Sequence, residues 1–145
     1  MILLDVNVLI YAFDRNSVRH EDYHRWLENL LANDEPFGVS DLVLSAVIRI
    51  ATHPKIFVRP GSPQEALKFV STIRNQLHCT IVTPGTRHWE IFTRLCEKVG
   101  AKGNLVTDAY FAALAIESGS EWITTDRDYS RFPGLRWRLP FNDIK

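Results

Sequence analysis

Aspartates hold the positions at which this chain could do chemistry. Asp5 follows a short apolar run, Ile2-Leu3-Leu4, and Asp126 and Asp128 follow another in Trp122-Ile123-Thr124-Thr125-Asp126-Arg127-Asp128. Asp108 lies between Leu105-Val106 and Ala109-Tyr110-Phe111-Ala112-Ala113, an almost wholly apolar neighbourhood. A carboxylate there must cap, pair or hold a cation, because burying a bare charge is costly. Each aspartate alone has a structural alternative: Asp5 as the end of a strand, Asp108 at a positive helix terminus, Asp126 as a turn former. Taken together they suggest a metal site, since clustered carboxylates repel one another unless a cation neutralises them. Oxygen-only ligands suit Mg²⁺ or Mn²⁺ better than zinc. Such an ion could lower the pKa of a bound water and offset charge on an attacked phosphate.

The elements that must position these acids alternate. Ile2 to Val6 reads as a buried parallel strand. Ser17 is expected to cap a helix in which Tyr23, Trp26, Leu27, Leu30 and Leu31 share a face. Phe37 to Ser40 reads as a second strand, followed by a helix over Asp41 to Ala51 that ends before Pro54. Ser62-Pro63-Gln64-Glu65 is a helix start with a capping box, and Ala66, Phe69, Val70, Ile73 and Leu77 recur behind it at helical spacing. Thr80 to Val82 reads as a third strand. Thr86 is expected to open a helix with Trp89, Phe92, Leu95, Cys96 and Val99 inward and Gly100 at its end. Asn104 to Ser118 is apolar on nearly every side and so reads as a buried helix, capped by Thr107 or Asn104 and closed by Gly119. Trp122 to Thr124 is a fourth strand, and a short last one is expected near Trp137 to Leu139. This order implies an α/β fold, an open parallel sheet with helices on both faces. Ligands of such sheets bind beyond the carboxyl ends of the strands, where strand order reverses. Asp5 and Asp126 stand at such ends.

The bulk properties bound the reading. A chain of 145 residues is expected to form one domain over 1–145. Lys+Arg and Asp+Glu are both 17, so any contact with nucleic acid must come from local patches. Leu42 to Gln64 lacks acids but carries Arg49, His53, Lys55 and Arg59, and Arg127 to Arg138 carries four arginines against Asp128 alone. Cys79 and Cys96 have no metal or redox spacing, which suits a reducing compartment. His20 and His24 stand four apart, but no third ligand accompanies them, so both read as surface residues. Trp89, Trp122 and Trp137 read as core or dimer contacts. No stretch approaches the roughly 20 apolar residues of a membrane helix, and the first residues do not form a signal peptide, so a cytoplasmic protein is expected.

Three segments resemble a known family. Met-Ile-Leu-Leu-Asp5-Val-Asn7-Val-Leu-Ile-Tyr-Ala-Phe-Asp14 resembles the opening of PIN domains, specifically of VapC-type toxins from bacterial toxin–antitoxin pairs. Gly103-Asn104-Leu-Val-Thr-Asp108-Ala109 through Ala115 resembles their third motif, and Thr124-Thr125-Asp126-Arg127-Asp128-Tyr129-Ser130-Arg131-Phe132 their fourth. The resemblance implies a PIN-like three-layer α/β/α domain and an Mg²⁺- or Mn²⁺-dependent RNA endonuclease. It also implies a cognate antitoxin, a homodimer, a higher-order complex with the antitoxin, and structured RNA such as tRNA as substrate. It assigns Asp5, Asp108 and Asp126 as catalytic metal ligands, Asp128 as a further ligand or outer group, and Asn7, Asn104 and Thr125 as supporting groups. Arg49, Lys55 and Arg127 are expected to meet RNA phosphates.

One position departs from the family. Many members carry a Glu in the helix after the second strand, where this chain has Ala46 in Ser40-Asp41-Leu-Val-Leu-Ser-Ala46-Val-Ile-Arg49. The remaining acid of that segment, Asp41, is expected either to cap the helix or to support the metal. Two other function classes stay open. One is a catalytically weak or inactive module that binds RNA or a partner. The other is a phosphohydrolase with Asp5 as nucleophile, which Asn7 disfavours because that chemistry wants a second acid on the loop.

Overall fold

The computed structural model describes residues 1–53 and 62–142. Strand β1 (Ile2–Leu4) is central, with β2 (Phe37–Val39) and then β3 (Cys79–Ile81) on one side and β4 (Glu121–Ile123) and then β5 (Trp137–Arg138) on the other. All four pairings are parallel, and Leu4 lies opposite Ile123 in the register of β1 with β4. Six α-helices connect the strands among the described residues: α1 (Val6–Phe13), α2 (His20–Ala32), α3 (Asp41–Ala51), α4 (Pro63–Arg74), α5 (His88–Val99) and α6 (Asn104–Ser118). Helix α1 packs on α2 and α3, α3 on α4, and α5 on α6. Right-handed crossovers that leave β1 in one direction and return to β4 in the other put these two sets on opposite faces. The three-layer α/β/α arrangement is the one the sequence implies.

Leu3, Leu4, Phe37, Val39, Trp122 and Ile123 are buried in the sheet, and α6 buries Ala109 and the run from Phe111 to Ala115. This accounts for the weak amphipathicity of α6: small side chains on several of its faces let the sheet and α5 approach together. Among the described residues, no helix is long and apolar enough to cross a membrane.

Several local expectations are corrected. Helix α1 is not among the expected elements, and the strand expected over Ile2 to Val6 stops at Leu4: Asp5, which reads as a strand end, caps a helix that Val6 opens. Ser17 does not cap α2. Its hydroxyl donates to the carbonyls of Tyr11 and Asp14, and Arg19, in the left-handed region, begins that helix instead. Helix α4 stops at Arg74, with Asn75 as its cap, so Leu77 lies beyond it and is exposed rather than inward. Helix α5 begins two residues later than Thr86, with Arg87 before it. Neither Asn104 nor Thr107 caps α6: Gly103 occupies that position with a positive φ and no side-chain bond. Trp89 is exposed, whereas Trp122 is fully buried. His20 is half-buried with Nδ1 on the Tyr11 carbonyl, so it is more than a surface residue.

Candidate active site

Strand order reverses between β1 and β4, and a cavity of about 590 Å³ opens beyond their carboxyl ends. Asp5, Asp108 and Asp126 all line it, together with Asn7, Tyr11, Arg49, Phe111 and Tyr129. Each acid arrives from a different element. Asp5 leaves β1 and caps α1, accepting the Val6 N–H at 2.6 Å. Asp108 sits in the second turn of α6. Asp126 begins a short 3₁₀ turn, Arg127–Arg131, and accepts the Asp128 N–H at 2.9 Å.

Thr124 ties two of these acids together. Its hydroxyl donates to Asp5 Oδ2 at 2.6 Å and accepts the Asp126 N–H at 3.0 Å. The residue is fully buried. Register explains the contact: with Leu4 opposite Ile123, the next residues of each chain, Asp5 and Thr124, emerge side by side. Asn7 fixes the same loop by accepting the Thr125 N–H at 3.3 Å. The sequence pointed to Thr125. Its backbone takes part, but the bridging side chain is that of Thr124. Tyr129 was also missed: it is buried, and its hydroxyl donates to Asp108 Oδ1 at 3.2 Å.

The acids are poorly compensated. Burial pushes the Asp5 carboxyl up to about 7, against the bonds from Thr124 and Val6, and repulsion from Asp108 and Asp126 adds to the shift. Burial also raises Asp108, with Asp126 and Asp128 repelling its charge and the Tyr129 hydroxyl pulling the other way. The Tyr129 phenol is raised strongly by burial and by the surrounding carboxylates, so it stays a proton donor.

This donor set fits a hard divalent cation. Oxygens alone face the cavity from three acids, and a positive charge would relieve both their desolvation and their repulsion. Among the described residues, no group of three or more carboxylate, imidazole or thiol side chains is gathered closely enough to hold a metal ion together. Mg²⁺ does not ask for such a group, because it keeps several waters and binds through one or two carboxylates.

Other expected site residues lie elsewhere. Asp41 neither caps α3, which Ser40 does, nor lines the cavity. Its carboxylate is held by Arg74 through Nε at 2.8 Å and a second nitrogen at 3.2 Å, which keeps it below the usual carboxylate range. Asn104, Arg127 and Asp128 are exposed and do not line the cavity, although Asp128 is near enough to repel the Asp108 charge. Arg49 does line it, from the exposed side of α3. Ala46 faces it too, so α3 brings no acid to the cavity. Lys55 and Arg59 lie outside the described residues.

Residues 2–135 match the family model described as PIN domain. The chain is 41% identical to VapC ribonuclease Mb2897 of Mycobacterium bovis over 142 residues, covering 98% of this chain and 97% of that protein. It is 38% identical to Ribonuclease VapC31 of Mycobacterium tuberculosis, covering 97% and 99%. Among solved structures, VapBC2 from Rickettsia felis, bound to a DNA fragment from its promoter, aligns with a TM-score of 0.66 at 19% identity over 96% of this chain and 98% of that one. VapC20 of Mycobacterium tuberculosis, described as a Sarcin-Ricin loop cleaving toxin, aligns at 0.65 and 16% identity over 94% and 99%. At those identities the two structures speak for the fold alone.

Proposed function

The chain belongs to the PIN-domain family of VapC ribonucleases, and from that premise we propose that it is a divalent-metal-dependent endoribonuclease, the toxin of a toxin–antitoxin pair. The observation that carries this reading is the convergence of Asp5, Asp108 and Asp126 on one cavity at the reversal of strand order.

The three carboxylates would hold Mg²⁺ or Mn²⁺, with Asp128 as an outer group. When bound, the ion supplies an activated water and neutralises charge on the attacked phosphate. The protein's own groups do the rest. Asp5 must release its proton for a cation to bind, so affinity rises with pH through the neutral range. Thr124 and the Val6 N–H hold the Asp5 oxygens in place, and Asn7 fixes the loop that presents Asp126. Arg49 offers a positive charge to a phosphate entering along α3. Arg127, on the exposed turn beside Asp126, extends that contact away from the cavity, and Lys55 is proposed as a further phosphate contact. Such contacts position a strand without choosing its sequence. Structured RNA such as tRNA is the proposed substrate. A cognate antitoxin, a homodimer, a higher-order complex of the two proteins and a cytoplasmic location complete the proposal.

The test is cleavage of total host RNA by purified, antitoxin-free protein in Mg²⁺, in Mn²⁺ and in EDTA, alongside Asp5→Asn. Discrete products that need the metal and vanish in the variant are expected. A second reading, a weak or inactive RNA- or partner-binding module, is favoured by α3, where Ala46 faces the cavity and Asp41 is engaged by Arg74. Folded protein that binds RNA but cuts nothing in either metal would select it.

A further inference from the structure

A buried hydroxyl in the cavity has a single acidic target. Tyr129 is only 2% exposed, and its one observed side-chain hydrogen bond runs to Asp108 Oδ1 at 3.2 Å. Buried tyrosines normally give their hydroxyl a partner, and this one is spent on a carboxylate that lines the same cavity. At 3.2 Å the contact is long for a hydroxyl donor, as active-site hydrogen bonds often are before a ligand is bound.

The ring has little freedom to turn away. It lies 5.5 Å from the Trp122 ring and 5.8 Å from that of Phe132, centroid to centroid. Its backbone belongs to the five-residue turn Arg127–Arg131 that Asp126 caps, and the Tyr129 N–H bonds back to the Asp126 carbonyl at 3.4 Å. The turn that places Asp126 in the cavity therefore also carries the group that touches Asp108. Among the described residues, Asp108, on α6, has no other side-chain hydrogen bond to fix its carboxylate.

We propose that Tyr129 is a positioning residue. Its hydroxyl engages one oxygen of Asp108, sets the rotation of the carboxylate, and leaves the second oxygen as the one offered to a cation or substrate. A single turn then sets two of the three acids relative to each other. The inference rests on the metal-dependent reading for its ligand but not for its geometry.

Tyr129→Phe tests it, because the ring packing survives and the hydroxyl alone is lost. Two measurements are made on the full chain. The first is Mn²⁺ binding by calorimetry. Removing an outer partner of a metal ligand typically weakens affinity by roughly 10–100-fold, and a loss of about tenfold or more is expected here. The second is the metal-free crystal structure of the variant, in which the Asp108 carboxylate is expected to rotate or to split between two conformers. An unchanged Mn²⁺ affinity together with an unmoved carboxylate overturns the proposal. If the wild-type chain binds no Mn²⁺, the metal-dependent reading fails by itself, and the crystal structure alone then decides whether Tyr129 orients Asp108. A drop in melting temperature with both readouts unchanged assigns the hydroxyl to stability alone and also overturns it.

Discussion

Helix α6 carries a carboxylate near each end, and the two live under opposite conditions. Asp108, in its second turn, is raised by burial and by the charges of Asp126 and Asp128. Glu117, in its last turn, is pushed up by burial too, but the N–H groups of Gly85 at 2.7 Å and Arg87 at 2.9 Å outweigh this and hold it below the usual range. Glu117 is therefore a finished structural device: it pins the loop between β3 and α5 with its charge satisfied. Among the described residues, Asp108 is left with one side-chain hydrogen bond and two like-charged neighbours. A fold that compensates one carboxylate so fully and leaves three others in mutual repulsion has, at the cavity, a charge imbalance that a bound cation would relieve.

The contrast is broken most severely at the cavity. Asp108→Asn is expected to abolish RNA cleavage, a loss beyond the roughly 100-fold ceiling for removing an outer partner, while melting temperature in EDTA stays level or rises because repulsion is relieved. Cleavage surviving in that variant would remove Asp108 from the catalytic set. Thr124→Val comes next. It takes the hydroxyl from Asp5 and from the Asp126 N–H at once, so cleavage is expected to fall by roughly 10–100-fold, with a stability cost of about 1–3 kcal/mol for the buried groups left without a partner. Kinetics and denaturant melts on one preparation separate the two effects.

Asp5 gives the contrast a pH dependence. Its carboxyl moves from the ordinary 3.8 to about 7 on folding. Between those values the folded chain keeps a proton that the unfolded chain has lost. The contribution to stability is thus complete below about pH 4 and is lost as pH rises through 7. In EDTA the protein is expected to melt several degrees lower at pH 8 than at pH 5, and Asp5→Asn to lessen that slope. Mg²⁺ should restore much of the loss at pH 8, since a ligand of the folded state alone stabilises it. A metal-free protein equally stable at both values would show that Asp5 is ionised in the fold.

The acids themselves were legible because each broke a local rule: a charge after an apolar strand, or a charge within an apolar helix. The alternation of strands and helices was legible for the same reason, since apolar periodicity reports burial. What could not be read was register. Thr124 and Thr125 are adjacent and chemically alike, and only the pairing of Leu4 with Ile123 decides which hydroxyl meets Asp5. Long-range pairs were hidden too. Asp41 looked like a cap or a metal group because its partner Arg74 is 33 residues away. Helix α1 is hidden because its cap, Asp5, reads equally well as the end of a strand. Tyr129 is one more aromatic in a motif dominated by acids, and only the fold brings its hydroxyl to Asp108, 21 residues away.

At the other end of α6 the effects shrink. Glu117→Ala is expected to cost about 0.5–1.5 kcal/mol, because water can reach the two freed N–H groups. Gly85→Ala should do similar harm from the opposite side, since a Cβ there would lie 2.7 Å from Glu117 Oε2 and push the anchored carboxylate away. Neither change should alter cleavage or Mn²⁺ affinity.

Asp41→Asn has the smallest expected effect, and it decides whether α3 contributes an acid to the site. The Asp41–Arg74 pair is largely exposed, at 59% and 46% of the side chains, so solvent screens it and its loss should shift melting at the edge of detection. Mn²⁺ affinity and cleavage should both be unchanged, because the carboxylate is held by Arg74 and does not line the cavity. A clear fall in either would mean that Asp41 leaves Arg74 when a cation binds, and Arg74→Gln, which frees the carboxylate, should then strengthen metal binding. If both variants leave the metal indifferent, α3 offers the cavity only its cation, Arg49, and the three acids on the other elements must suffice.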